Sequence, residues 1–501
     1  MDLSVVYSRA LAGISAPLVR VETHLSNGLP SLHIVGLPET AVRESKDRVR
    51  CAILNSHFTF PDRRITVNLA PADLPKTGGR FDLAIALGIL CASGQVPTDH
   101  LAQHEFLGEL ALDGCLRKVP GVVCAADAAQ RAGRQLVVAG DSASLAAHVP
   151  GARVIGAPDV LTLCAHLNGS ATILAARPER DVADPIYPDL RDIIGQHGAR
   201  RALEIAASGS HNLLLWGPPG TGKTLLASRL PGILPPPSTE EVLAGLALRD
   251  VHSELSGHSL SFQRPFRSPH HSATAVALVG GGSRPRPGEV SLAHGGVLFL
   301  DELPEFNRHC LEVLREPMES GEITLARANH RVTYPARFQL VAAMNPCPCG
   351  YFGDPARACR CTPDQIQRYR ARVSGPLLDR IDLHVQVTRL PPGDLLTPRN
   401  AGEDSATVSA RVRSSRARQI LRQGAPNAQL SPQELASTCK LGSPEKTALE
   451  AAAETMRLSG RGLHRTLRVA RTIADLQNSE AIGMTHLREA LGYRASESGP
   501  S

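Results

Sequence analysis

The segment Gly217-Pro218-Pro219-Gly220-Thr221-Gly222-Lys223-Thr224 restricts this chain more than any other stretch. It keeps the spacing G-x-x-x-x-G-K-[ST]. The run Asn212-Leu213-Leu214-Leu215-Trp216 precedes it and Leu225-Leu226-Ala227-Ser228-Arg229-Leu230 follows, which reads as strand, glycine-rich turn and helix. The glycines let backbone N–H groups close around phosphate oxygens, and the helix N-terminus adds its positive dipole end. Lys223 is placed to reach the β- and γ-phosphates, and the Thr224 hydroxyl to take one position on Mg2+. The segment predicts a nucleoside-triphosphate site.

Two further apolar strands supply what hydrolysis needs. Val297-Leu298-Phe299-Leu300 runs into Asp301-Glu302, so both carboxylates fall at a strand's C-terminal end, where ligands sit in open α/β sheets. Asp301 is expected to hold Mg2+, directly or through water, and Glu302 to polarise the attacking water. Gln339-Leu340-Val341-Ala342-Ala343-Met344 ends at Asn345, whose amide is suited to position that water.

At 501 residues the chain exceeds one typical core, and composition shifts divide it. Residues 1–170 alternate short strands (19–23, 31–35, 64–69, 136–138, 153–155) with helices (39–56, 81–93). Residues 171–189 are polar and proline-interrupted, a linker. Residues 190–392 form the phosphate-loop core, opened by a helix over 190–208, and 393–501 are mostly helical. No run is long enough to span a bilayer and the N-terminus lacks a signal-peptide layout, so the cytoplasm is the expected compartment. The formal net charge of +6 permits nucleic-acid contact without requiring it. Eleven cysteines, an odd number, fit a reducing compartment.

Four of those cysteines cluster as Cys347-x-Cys349 and Cys359-x-Cys361. Four thiolates suit a tetrahedral structural Zn2+ that staples a Gly/Pro-rich loop, and reduced free thiols are the other reading. Four ligands would leave no open position for catalysis. Residues 321–334 read as a hairpin with a basic tip. Two basic stretches, Arg43/Lys46/Arg48/Arg50 and Arg411/Arg413/Arg416/Arg418/Arg422, read as solvated helix faces, with nucleic-acid contact as the other reading for the first.

The phosphate loop, the Asp-Glu strand end and the Asn strand end together resemble an AAA+ ATPase core. Pro269-His270-His271-Ser272-Ala273-Thr274, Gly295–Phe306 and Asn345-Pro346-Cys347-Pro348-Cys349-Gly350 are similar to the magnesium-chelatase-like branch, and within it to the ComM (YifB-type) family. Residues 68–83 resemble part of the Lon-protease-like (S5 domain 2-like) α/β domain also found in RadA-type recombination proteins. Proteolytic members carry a serine after the glycine turn. Here Gly79-Arg80-Phe81-Asp82 offers none, so the domain is expected to be a non-catalytic scaffold.

The resemblance implies a Lon-like α/β domain, an AAA+ core with a parallel sheet and a C-terminal helical lid. It implies ATP and Mg2+ bound by Gly217 to Thr224, with Asp192 to Gln196 near the adenine. Arg380 corresponds to an arginine finger acting on a neighbouring subunit, with an ion pair to Asp382 as the alternative reading. Arg461, in Ser459-Gly460-Arg461-Gly462, corresponds to a lid arginine on the nucleotide. A homo-oligomer, as a hexamer, is implied, with two insertions in a central pore where Arg327, His330 and Arg331 would grip single-stranded or branched DNA, a sequence-independent contact. A solvated surface hairpin is the alternative for those three. The implied activity is an ATP-driven helicase or branch-migration motor in recombination during natural transformation, alongside recombination proteins. A chelatase- or chaperone-like remodeller of a protein partner and a Lon-type protease are the competing classes.

Overall fold

A computed structural model describes residues 2–36, 40–178, 187–252, 263–282, 285–327, 330–391, 393 and 402–495. They fall into two compact units, one of residues 1–183, 242–261 and 326–334, the other of 184–241, 262–325 and 335–501.

In the first unit, strands Leu3–Arg9, Leu18–Ser26 and Arg64–Ala70 pair antiparallel, and Ser31–Val35 adds parallel to the last. Along Leu18–Ser26 alternate residues are buried, the period of a sheet with one covered face. The helix Asp82–Ala92 covers it and is buried all round, as its nearly uninterrupted apolar sequence requires. Gly88 makes the close approach possible: a Cβ there would stand 2.4 Å from Thr23 Oγ1. A second sheet is parallel, with strands His104–Phe106, Gln135–Ala139 and Val154–Ala157 in that order. Buried Glu105 accepts two hydrogen bonds from Arg9, each 2.6 Å, and one from Arg134 at 3.2 Å. Strand Leu3–Arg9, unforeseen from sequence, supplies that arginine. On the helix Thr40–Asn55, Arg48 pairs with Asp82 at 2.9 Å and Arg50 lies over the Phe60 ring, so these two do not belong to a free solvated face.

The second unit is built on a parallel sheet of five strands in the order Phe266–Arg267, Val297–Leu300, Gln339–Met344, Leu213–Trp216, Leu383–Gln386. Both faces are covered: Leu213 and Leu215 enter one apolar cluster with the flanking helices, Leu214 the other. This is why these strands read as unbroken apolar runs. Leu213–Trp216, fourth in space but first in sequence, marks where the strand order reverses, the position at which open α/β sheets hold ligands.

Two expectations fail here. The helix over 190–208 is interrupted. A 3-10 turn, Leu190–Asp192, ends before Gly195 and Gln196, both with positive φ, and the helix runs His197–Gly209. The arginines of Ser405–Gln423 are also not a solvated face. Arg411 bridges Glu204 and Glu403, Arg416 donates to the carbonyls of Ala207 and Ser208, Arg418 to that of Asp475, and Arg422 forks onto the Asp475 carboxylate. Arg413, the remaining one of the five, is exposed and makes no such bond among the described residues. Alternate turns of the helix therefore fasten it to His197–Gly209 and to the last long helix, Gly460–Leu476.

That last helix is also held by Asp382, which is 3% exposed. Its carboxylate takes Arg465 at 2.8 Å and the Asn212 N–H at 2.9 Å, with His211 Nδ1 at 3.7 Å. Burial by itself would raise the Asp382 carboxyl, but Arg465, His211 and Arg494 hold it well below the usual carboxylate range. Its contribution to stability is therefore full above pH of about 4 and is lost as pH falls toward the lower folded value. Asp382→Asn leaves a buried guanidinium without its anion. It should cost about 3 kcal/mol in urea denaturation at pH 7 and flatten the acid limb of the stability profile.

Candidate nucleotide site and cysteine cluster

The phosphate loop leaves strand Leu213–Trp216 and closes against its neighbour. A Cβ on Gly217 would fall 2.1 Å from the Val387 carbonyl oxygen, so only glycine fits. Gly220 and Gly222 have φ of 76° and 89°, the left-handed turn that folds the loop back onto helix Lys223–Ile233. Lys223, at that helix's first turn, is buried, and its ammonium donates to Gly217 O (2.8 Å), Pro218 O (2.9 Å) and Asn345 Oδ1 (3.1 Å). Burial lowers its pKa, opposed by Asp301 and Glu302. Gln196 donates to Thr388 O at 2.7 Å and lies 3.5 Å from Thr221 O, so the break in the expected helix borders this loop.

Thr224 Oγ1 donates to Asp301 Oδ2 at 2.7 Å. A hydroxyl and a carboxylate in contact beside a phosphate loop form an all-oxygen pair that could hold Mg2+. Asp301 Oδ1 accepts the Glu302 N–H at 2.9 Å, and Glu302 turns the chain with φ of 51° into the short Leu303–Glu305 turn. Glu302 Oε2 lies 3.5 Å from Nδ1 of His271, whose ring lies against that of His270 at 4.0 Å, tilted by 34°. Sequence reading gave His271 no role. Its signal is the His-His pair just past an edge strand, readable only once that strand is paired with Val297–Leu300.

Arg380 does not pair with Asp382. Its side chain is 5% exposed and meets Glu319, with Nη1 donating to Pro376 O at 2.6 Å. Asp382 is occupied by Arg465, four residues beyond Arg461 on helix Gly460–Leu476. Arg461 is 66% exposed and approaches the same Glu319 at 3.8 Å, so one carboxylate stands between both arginines. Glu319, on helix Arg315–Ser320, is the second residue that the sequence did not single out. The hairpin is present as Glu322–Arg327 and His330–Pro335. Arg331 is exposed, Tyr334 is buried, and the side chains of Arg327 and His330 lie outside the described residues.

The four cysteines come together. Cys347 Sγ lies 3.4 Å from Cys349 Sγ and 3.7 Å from Cys359 Sγ, Cys349 and Cys359 are 3.6 Å apart, and all four sulfurs lie within 4.8 Å of one another.

A parallel sheet with a phosphate loop at its order reversal and an acidic pair on an adjacent strand end defines a P-loop nucleotide-binding core. Family profiles match all three parts of the chain: subunit ChlI of Mg-chelatase at residues 21–142, magnesium chelatase subunit ChlI at 189–395, and the ChlI C-terminal region at 402–494. Competence protein ComM of Haemophilus influenzae is 52% identical over 501 residues, covering 99% of this chain and 98% of its own length. YifB of Escherichia coli is 50% identical over 495 residues, covering 99% and 97%. The magnesium-chelatase 38 kDa subunit of Cereibacter sphaeroides is 24% identical over 346 residues, 60% of this chain and 90% of that protein. The chain belongs to the YifB/ComM family of magnesium-chelatase-like AAA+ proteins. No described helix is long and apolar enough to cross a membrane.

Gly217→Ala tests the loop's close approach. It should destabilise the protein by about 1–3 kcal/mol, the cost of forced overpacking, and weaken binding of a fluorescent ATP analogue in the same titration where Gly133→Ala, at an open surface turn, does not.

Proposed function

We propose that this chain is an ATP-hydrolysing ring motor acting on single-stranded or branched DNA, with helicase or branch-migration activity in recombination. The observation that carries the ATPase part is the convergence of Lys223, Thr224, Asp301 and Asn345, linked by hydrogen bonds of 2.7 and 3.1 Å at three adjacent strand ends. Gly217 to Thr224 and Lys223 wrap the phosphates. Thr224 and Asp301 hold Mg2+, and the segment from Asp192 to Gln196 borders the base. Glu302 polarises the attacking water, and Asn345, which accepts from Lys223, orients it. Mg2+ held by Thr224 and Asp301 would supply neutralisation of the phosphate charge during transfer.

Arg380 acts on the neighbouring protomer's γ-phosphate and Arg461 on the nucleotide from the lid, which makes hydrolysis depend on assembly into a ring, a hexamer. Arg327, His330 and Arg331 grip the DNA backbone in the pore. The DNA and competence parts rest on the 52% identity with a competence protein. The first unit serves as a Lon-like, non-proteolytic scaffold. In support, Gly79 abuts the Glu109 carboxylate and Asp82 is engaged by Arg48, with no hydroxyl nucleophile between them.

The test is steady-state ATPase activity with no DNA, single-stranded DNA, duplex and a three-way junction. The parent protein should be stimulated by single-stranded or branched DNA. Glu302→Gln should bind nucleotide and lose at least about 100-fold in turnover, the contribution of a positioned general base. Robust hydrolysis indifferent to every DNA would sink the DNA motor and favour a remodeller of a protein partner. Arg380→Ala should lose about three orders of magnitude in turnover with nucleotide affinity retained, and recover when mixed with Glu302→Gln subunits that keep their own Arg380.

A further inference from the structure

The loop between strand Gln339–Met344 and helix Pro363–Arg370 has no regular secondary structure, and its composition cannot build a core of its own. Its shape is set by the four sulfurs. A single ion in a tetrahedron of thiolates with metal–sulfur bonds of about 2.3 Å places neighbouring sulfurs about 3.8 Å apart. The separations of 3.4, 3.6 and 3.7 Å among Cys347, Cys349 and Cys359 match that spacing, and Cys361 completes the set within 4.8 Å. They are far beyond the disulfide bond length of about 2.05 Å. They are also too tight for a multi-iron cluster, whose thiolates bind different irons.

Two backbone N–H groups point at the sulfurs, from Phe352 to Cys347 at 3.3 Å and from Cys361 to Cys359 at 3.4 Å. Such donors stabilise thiolate charge and are the outer contacts that orient a metal's ligands. Tetrahedral all-sulfur sites select zinc.

The loop is also tied to the nucleotide site. Cys347 is buried two residues past Asn345, the residue whose side chain meets Lys223. Gly350, with φ of 85°, lies so close to the phosphate loop that a Cβ there would stand 2.7 Å from Pro219 Cδ. At the far end Arg370, from the helix that follows the last cysteine, donates to Pro346 O at 3.3 Å. The loop thus touches the phosphate loop at Pro219 and anchors the chain just after Asn345.

We infer that Cys347, Cys349, Cys359 and Cys361 hold one structural Zn2+, and that this ion sets the geometry of the phosphate loop and Asn345, so that metal occupancy governs nucleotide affinity. Binding displaces the thiol protons to solvent, and no redox step is involved. The four ligands leave the ion no open position, so its effect on the site is mechanical, through Gly350 on Pro219 and through Asn345 on Lys223. The coupling rests on the ATP-binding reading above, whereas the metal site stands without it.

The experiment uses the full chain purified without an affinity metal. Elemental analysis should find about one zinc per chain. Co2+ reconstitution should give thiolate-to-cobalt charge-transfer absorption. Chelation under reducing conditions should weaken binding of a fluorescent ATP analogue at least tenfold, and added Zn2+ should restore it. Cys361→Ser should lose the metal and the affinity together, while Cys115→Ser, an exposed cysteine outside the cluster, should keep both. The reversible chelation arm covers the case in which Cys361→Ser does not fold. Zinc content and cobalt spectra no different from those of Cys361→Ser would overturn the site. Reversible metal loss with unchanged affinity would overturn the coupling. A zinc-loaded parent that binds no ATP analogue would fail the nucleotide reading itself, a result distinct from the other two.

Discussion

The ammonium of Lys223 is a buried charge, and the second unit is arranged to keep it from being a liability. Its three acceptors come from the phosphate loop and from the end of strand Gln339–Met344. They share a location only because that strand pairs in parallel with Leu213–Trp216, residue for residue from Leu213 with Val341 to Trp216 with Met344. A register slip of one residue would move Asn345 away and turn the apolar side chains to opposite faces. The two apolar clusters that clasp the sheet thus fix the lysine's surroundings from a distance. Packing and chemistry are one constraint here.

The helical C-terminal part is joined to this core differently. Its helix Ser405–Gln423 meets His197–Gly209 through guanidinium groups aimed at carboxylates and at carbonyls of a helix C-terminus. Those carbonyls have no partner within their own helix, and arginine is well suited to satisfy them. Buried Ser208 and Ser415, joined at 2.7 Å, continue the polar seam inward. Such contacts are directional, so they specify one packing of these helices more sharply than apolar contact of similar extent would.

The phosphate loop, the Asp301-Glu302 strand end and the Asn345 strand end were legible because each is local: an apolar run ending in a polar group within a few residues. So were the helices Thr40–Asn55 and Asp82–Ala92, within a residue or two at each end. What the sequence hid depends on partners far along the chain. The arginines of Ser405–Gln423 read as solvent-facing because Glu204 and Asp475, their counter-ions, lie roughly 200 and 50 residues away. The interruption at Gly195 and Gln196 was hidden because a left-handed glutamine carries no residue-type signature. His271 and Glu319 escaped for the same reason as the arginines: each is ordinary until the fold sets it beside Glu302 or between Arg380 and Arg461.

That last arrangement carries its own consequence. Glu319 is half exposed and stands as a single anion between two guanidiniums, one almost fully covered and one mostly in water. The corner therefore bears one unit of uncompensated positive charge while neither arginine is solitary. An anion brought to this corner would not have to break a closed pair. It would complete an unfinished one, and the exposed arginine could follow it while the glutamate stayed behind with its buried partner.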